Sequence, residues 1–129
     1  MEFNDAVAVR TMWGEARGEG QLGEDSVAHV IRNRIATGRW GHTAAAVCLA
    51  PMQFSCWNAA DANRRPMLEM TDTEPALVAL LDVWHQSLTD VDHTQGATHY
   101  KVVGTSANWA VGLTPVVTIG HHEFYRGVA

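Results

Sequence analysis

The chain has no run of about 18 apolar residues, the length a helix needs to cross a bilayer. Its start, "MEFNDAVAVR", lacks the basic stretch, apolar run and small-residue site of a secretory leader. These absences point to a protein made in the cytoplasm, without membrane insertion. If it acts outside, a holin-type or other non-Sec route must release it. Basic charge is also scarce: 9 Lys and Arg stand against 14 Asp and Glu, a formal net charge of −5. That argues against a general nucleic-acid binder but leaves a neutral sugar chain open as a partner. There are only 2 cysteines, Cys48 and Cys56, and no CxxC, so a zinc knuckle or dithiol redox site has no motif to build on. Their spacing allows a small disulfide loop around Pro51 or two buried thiols. HExxH is absent, and so is GxSxG, which leaves Ser55 and Ser106 without a nucleophile elbow. No repeat, low-complexity segment or linker interrupts the sequence. With 129 residues, 47% hydrophobic and 18% charged, residues 1–129 read as one domain with a core of its own.

What is present is helical first and extended last. Val9, Met12, Trp13 and Ala16 form an apolar stripe at helical spacing. With Asn4 as N-cap, this predicts a first helix ending at about Gly18 or Gly20. Val27, Val30, Ile31 and Ile35 predict a second helix from about Asp25 to Thr37, with Gly38 after it. His42 to Ala50 reads as a short helix stopped by Pro51. "FSCWNAADANRRP" reads as a surface loop. Leu77, Leu80, Leu81, Trp84 and Leu88 predict a long helix from about Thr73, with Pro75 in its first turn. "ATHYKVV", "TPVVTI" and "HHEFY" are β-branched and aromatic, and predict a small antiparallel sheet. The fold class is α+β.

Against this outline, the stretch "MWGEARGEGQ" is unusual. Glu15 sits roughly 60° round from Met12, on the flank of the apolar stripe. Glu19 lies one turn further on if the helix continues. Partial burial, a like charge and the negative helix end all favour a protonated Glu15, the state a general acid needs. The plainer reading is a pair of solvated glutamates at a fraying end, salt-bridged to Arg17 or Arg32. The 7 histidines raise a metal alternative, a His99/His122/Asp92 zinc site, although no ligand spacing supports it. His121 and His122 are expected on opposite faces of a strand, with His99 pairing across to one of them. Trp13 and Trp84 fall on core stripes, whereas Trp57 and Trp109 lie in loop-like contexts suited to stacking on a sugar face. Asn33, beside an apolar stripe, is a candidate to brace the Glu15 region.

Five segments together, "WGEARGEG", "VAHVIRNRI", "VCLAPMQFSCWN", "DHTQGATHY" and "IGHHEFY", resemble the SleB-type cell wall hydrolase family, in the family's order and over nearly the whole chain. The paired cysteines and the minimal length resemble its phage and non-sporulating branch. The resemblance implies a lysozyme-like fold and cleavage of the β-1,4 bond between N-acetylmuramic acid and N-acetylglucosamine in peptidoglycan. It implies that Glu15, the first glutamate of GEARGE, is the catalytic acid. It places Gln53, with Phe54 and Ser55 of "QFSC", beside the cleft, and makes Tyr100 and His122 substrate contacts. Lys101 stands where relatives often carry histidine.

No cofactor is implied, and the expected state is a monomer. Lytic transglycosylation needs only Glu15. A muramidase needs a second carboxylate, roughly 5–5.5 Å away if retaining or 6.5–9.5 Å if inverting. Glu19, Glu24 and Asp25 are the candidates for it. Glu19 is alternatively structural, capping the next helix or binding Arg32 or Arg34. Two other readings are a zinc peptidoglycan amidase or peptidase using His99 and His122, and a glycan-binding module without turnover.

Overall fold

Apolar residues at helical spacing become helices that share one core, and the sheet closes that core from one side. The computed structural model describes residues 1–129. Helix α1 (Phe3–Ala16) buries Val7, Ala8, Val9, Met12 and Ala16 and packs against three other helices: α2 (Gly20–Thr37), α3 (Ala44–Leu49) and α5 (Pro75–Gln86). A short helix α4 (Arg64–Glu69) leans on the far side of α1. The strands β1 (His99–Val102), β2 (Val117–Ile119) and β3 (His122–Tyr125) form an antiparallel sheet in the order β1-β3-β2. The α+β expectation therefore holds, as do the placement of the strands and Pro75 at the first turn of α5. No helix is long and apolar enough to cross a membrane.

Several boundaries differ from expectation. α1 is capped by the Glu2 carboxylate, which accepts from the Asn4 and Asp5 amides. Asn4 is inside the helix, and its Oδ1 accepts from Ala45 N–H, tying α1 to α3. α1 stops at Ala16, because Gly18 follows in the left-handed region (φ 88°). α2 then starts five residues earlier than the pattern from Asp25 suggested. Leu88 lies beyond the end of α5 and is 71% exposed, so it does not extend the α5 stripe. "FSCWNAADANRRP" is not a plain surface loop. It holds a 3-10 turn at Ser55–Trp57 and the start of α4, and it buries Phe54 and Cys56. Cys48 and Cys56 are two separate buried thiols.

The sheet is registered by pairs that bear on the site. Tyr100 lies opposite Phe124, Val102 opposite His122, and Lys101 opposite Glu123. Lys101 Nζ and Glu123 form a cross-strand ion pair at 2.7 Å, an opposite-charge pair of the kind that pins register. β2 turns into β3 through Gly120 and His121. Gly120 has φ 57°, and a Cβ there would lie 2.7 Å from the Glu19 carboxylate, so glycine is needed for both backbone and space. Glu19, at the start of α2, is thus clamped against the hairpin.

Candidate active site

Glu15 ends the last full turn of α1, where the chain leaves the core for the surface. Its carboxylate faces the 3-10 turn and β1 rather than bulk solvent. Oε2 accepts from the Cys56 backbone N–H at 3.0 Å and from Ser55 Oγ at 3.3 Å. Oε1 accepts from the Tyr100 phenol. Neither Arg17 nor Arg32 pairs with it. Arg17 stacks over Trp13 and bonds Asn63, while Arg32 stacks over Trp84 and donates to Ser87 Oγ. Three donors from two distant segments therefore hold one carboxylate in a single orientation. Burial, then the neighbouring Glu15 charge, raises the Tyr100 phenol well above its ordinary range, so Tyr100 stays a donor.

Around this carboxylate lies a cleft of about 600 Å³. Of the residues singled out from sequence, Glu15, Gln53, Ser55, Tyr100, His122 and Trp109 all line it. Glu15 is the only carboxylate among its lining residues. Phe54 is 2% exposed and forms part of the core behind the wall. Trp57 faces the opposite side of α1, where its Nε1 donates to Thr11 Oγ1. It therefore lies outside this cleft, partly buried against the core and held by its bond to a buried threonine. Asn33 does not touch Glu15; it donates to Asp92 Oδ2 and to the Ala97 carbonyl, holding the segment that leads into β1.

The wall opposite Glu15 is built on an arginine that the sequence marked only as a possible partner for Glu19. Arg34 is 4% exposed. Its guanidinium stacks on Trp40 and Phe54, donates to the Thr98 carbonyl at 2.7 Å and to Gln53 Oε1 at 3.0 Å. Burial pushes it down to about 10, which leaves it charged at neutral pH. Held by its oxygen, Gln53 turns its amide nitrogen away from Arg34, to a 3.4 Å contact with the Pro51 carbonyl. Trp40 and Trp109 flank the His99 ring at centroid distances of 5.5 and 4.9 Å. Burial, with the charges of Arg34 and Arg39 adding to it, pushes His99 down to about 4, so its imidazole is neutral at pH 7. Gly14, Trp40, Arg39, Lys101, Met52 and Val102 complete the lining and were not singled out as cleft residues from sequence.

Glu19 is not a helical neighbour of Glu15, because Gly18 breaks the helix between them. It binds neither Arg32 nor Arg34 and makes no side-chain cap. Its carboxylate meets His121 Nδ1 at 3.1 Å and His122 Nδ1 at 3.7 Å. His121 belongs to the turn, which is why both imidazoles reach the same carboxylate despite being adjacent. Glu24 and Asp25 lie on faces of α2 outside the cleft. The zinc trio is not assembled either. His99 is opposite Tyr125, not His121 or His122. Asp92 spends its oxygens on Asn33, Thr94 and Gly96.

A helical layer closed by a three-stranded sheet thus places one glutamate at the mouth of a polar, aromatic-walled cleft. A family model described as Cell Wall Hydrolase matches residues 18–125, and the chain belongs to that family. Its relatives include the spore cortex-lytic enzyme of Halalkalibacterium halodurans, 32% identical over 116 residues that make up 89% of this chain and 32% of that protein. The spore cortex-lytic enzyme of Bacillus cereus is 31% identical over the same share of this chain and 41% of its own length. The chain thus spans about a third to two-fifths of the curated relatives it matches. Among solved structures, the catalytic domain of the Bacillus cereus SleB protein superposes with a TM-score of 0.75 at 26% identity, covering 98% of this chain and 91% of that one. The catalytic domain of the germination-specific lytic transglycosylase SleB from Bacillus anthracis gives 0.74 at 26% identity, with 98% and 97% covered. Glu15 lies three residues before the range matched by the family model.

Proposed function

We propose that this chain cleaves the glycan strands of peptidoglycan at the β-1,4 bond between N-acetylmuramic acid and N-acetylglucosamine, by lytic transglycosylation with Glu15 as the acid and base. The observation that carries the reading is that Glu15 is the only carboxylate lining the cleft. Membership of the cell wall hydrolase family and likeness to the Bacillus anthracis lytic transglycosylase support the same reading. In the reaction, the Glu15 carboxyl gives its proton to the glycosidic oxygen as the bond to the muramic C1 breaks. The resulting carboxylate takes the proton of the muramic C6 hydroxyl, whose oxygen closes on C1 to form a 1,6-anhydro ring. One group serves both steps, and no second carboxylate is required to activate water. Tyr100, Ser55 and the Cys56 amide aim the carboxylate and stabilise it in its charged state between the two steps. Trp109 lines the cleft as an aromatic surface for a sugar ring, while the Trp40 ring is occupied by Arg34 and Arg39.

Mass spectrometry of soluble products from purified sacculi tests this. Anhydro-muramic ends are expected from the wild type. Glu15→Gln, which keeps the shape but cannot donate the proton, is expected to leave no more than a few per cent of the turnover. Reducing muramic ends would keep Glu15 as the acid but replace transglycosylation with hydrolysis. Free peptides on intact glycan would refute glycan cleavage altogether.

A further inference from the structure

On the face of α2 away from the cleft, two carboxylates and an imidazole converge with no strong cation to balance them. Asp25 and His29 are one turn apart on α2, so their side chains share a face. Asp90, four residues past α5, closes over them. His29 Nε2 lies 2.5 Å from Asp90 Oδ1 and 3.7 Å from Asp25 Oδ2. One ligand atom from each residue falls within 4.8 Å of the others. Asp25 is 8% exposed, and its Oδ1 has no hydrogen-bond partner. A buried carboxylate oxygen left unpaired is costly, and native structures seldom tolerate one without a ligand. Arg32, the nearest strong cation on the same helix, gives its hydrogen bonds to Ser87 Oγ and the Trp84 carbonyl instead.

We propose that Asp25, His29 and Asp90 form a binding site for a divalent cation of the zinc class. Imidazole nitrogen and carboxylate oxygen are both donors that zinc accepts, with water completing the coordination. Tetrahedral ligand atoms at about 2.0–2.1 Å from the metal stand roughly 3.3 Å apart, so the 2.5 Å contact opens on binding while the longest separation shortens. Asp90 is the ligand that can move, since its side chain is 39% exposed and sits outside any helix. The far nitrogen of His29 looks toward a carboxylate, beyond hydrogen-bond distance. Asp92 Oδ1 lies 3.9 Å from Nδ1, and Asp92 is itself fixed by Thr94, Gly96 and Asn33. An open hollow of about 250 Å³, lined by Asp25, Asp90 and His93, gives the ion both a path and room for a water ligand.

Such an ion staples α2 to residues 90–97, the segment that delivers β1 and hence Tyr100 to the cleft. Its effect is on stability, not on the reacting atoms. The test is calorimetric titration of zinc into EDTA-stripped full-length protein, with thermal melts alongside. One zinc per chain is expected. At a free zinc concentration a hundredfold above Kd, the melting temperature should rise by roughly 10 °C. Asp25→Asn and Asp90→Asn should each weaken binding at least tenfold, while His121→Ala leaves it unchanged. Circular dichroism checks the fold of each variant, and the exposed Asp90→Asn decides if Asp25→Asn fails to fold. Absence of binding overturns the proposal. So does binding unaffected by Asp90→Asn, or binding lost in His121→Ala, which would move the ion to Glu19 and the hairpin.

Discussion

Gly14 separates the core from the cleft, and adding one methyl there tests how tightly the two are joined. A Cβ on Gly14 would lie 2.6 Å from Met67 Sδ and 2.7 Å from Cys56 Cβ. Both neighbours are almost fully buried, at 0% and 1% exposure. Met67 can adapt, because its sulfur ends a flexible chain. Cys56 cannot, because Cβ moves with its backbone. Ordinary contact begins at 3.4 Å, so Cys56 must retreat by about 0.7 Å. Overpacking of this kind costs about 1–3 kcal/mol. Replacing a mid-helix glycine with alanine returns about 0.5–1 kcal/mol. The net loss for Gly14→Ala is about 1 kcal/mol, or a fall in Tm of roughly 4 °C for a chain of this length. Activity should fall further than stability. The Cys56 N–H that shifts is the one holding Glu15 at 3.0 Å, and a retreat of that size takes the pair past the usual hydrogen-bond range. A misplacement approaching 1 Å at a catalytic group costs about 10–100-fold in rate. Melting curves and release of soluble fragments from sacculi, measured on the same preparation, check both parts. A variant that melts at or above the wild-type temperature and keeps full turnover would refute the argument that the core braces Glu15 through Cys56.

Tyr100→Phe removes one of the three donors to Glu15 and should lower turnover about 10–100-fold with the fold intact, since hydrogen bonds to charged groups contribute about 1.5–3 kcal/mol; unchanged turnover would mean the phenol does not hold the carboxylate. Burial pushes the Cys48 thiol up to about 12 and Cys56 higher still, so a thiol reagent should label neither in the folded chain and both in denaturant; labelling of the native protein would contradict their burial. His99 contributes a pH dependence of definite sign. Its folded value is pushed down to about 4 from 6.5, so the unfolded chain binds its proton first, and about 3 kcal/mol of stability present above pH 6.5 is lost as pH falls towards 4. Asp25, pushed up to about 6 chiefly by burial, works in the opposite sense there. The measurement is therefore the difference between wild type and His99→Gln, and a difference flat across pH 4–6.5 would refute the assignment.

The parts of the fold readable from sequence were those with a local cause. A 3.6-residue stripe needs only an apolar partner to become a helix, and Pro75 marked the first turn of α5 because a helix start has no use for that amide. The strands announced themselves by β-branched and aromatic residues. The misreadings have tertiary causes. Gly20 and Gly23 are poor helix formers, yet α2 begins at Gly20, next to Glu19, which the β2–β3 hairpin holds through His121, 102 residues away in the chain. Trp57 looked free because nothing in its neighbours reveals that Thr11 will stand beneath its indole nitrogen. Arg34 was legible only as a possible partner for Glu19, and only the meeting of Trp40, Phe54, Gln53 and Thr98 makes it a buried strut.

The candidate site divides along the same line. Glu15 was legible because its oddity is local, an acid at the wrong end of a helix and on the edge of an apolar stripe. What turns that oddity into a usable group is not local. Its donors come from a 3-10 turn 40 residues on and a strand 85 residues on. Each is set by its own support: Cys56 by its packing under Gly14, and Tyr100 by its register against Phe124 and by Asn33 gripping the approach to β1. The carboxylate therefore cannot be relocated to Glu19 by a small change in sequence. Glu19 meets a turn and two imidazoles where Glu15 meets a phenol, a hydroxyl and an amide. The first setting supplies charge partners that fix a hairpin. The second supplies donors that hold an oxygen at the mouth of a cleft, and the proposed proton transfer to a glycan needs the second.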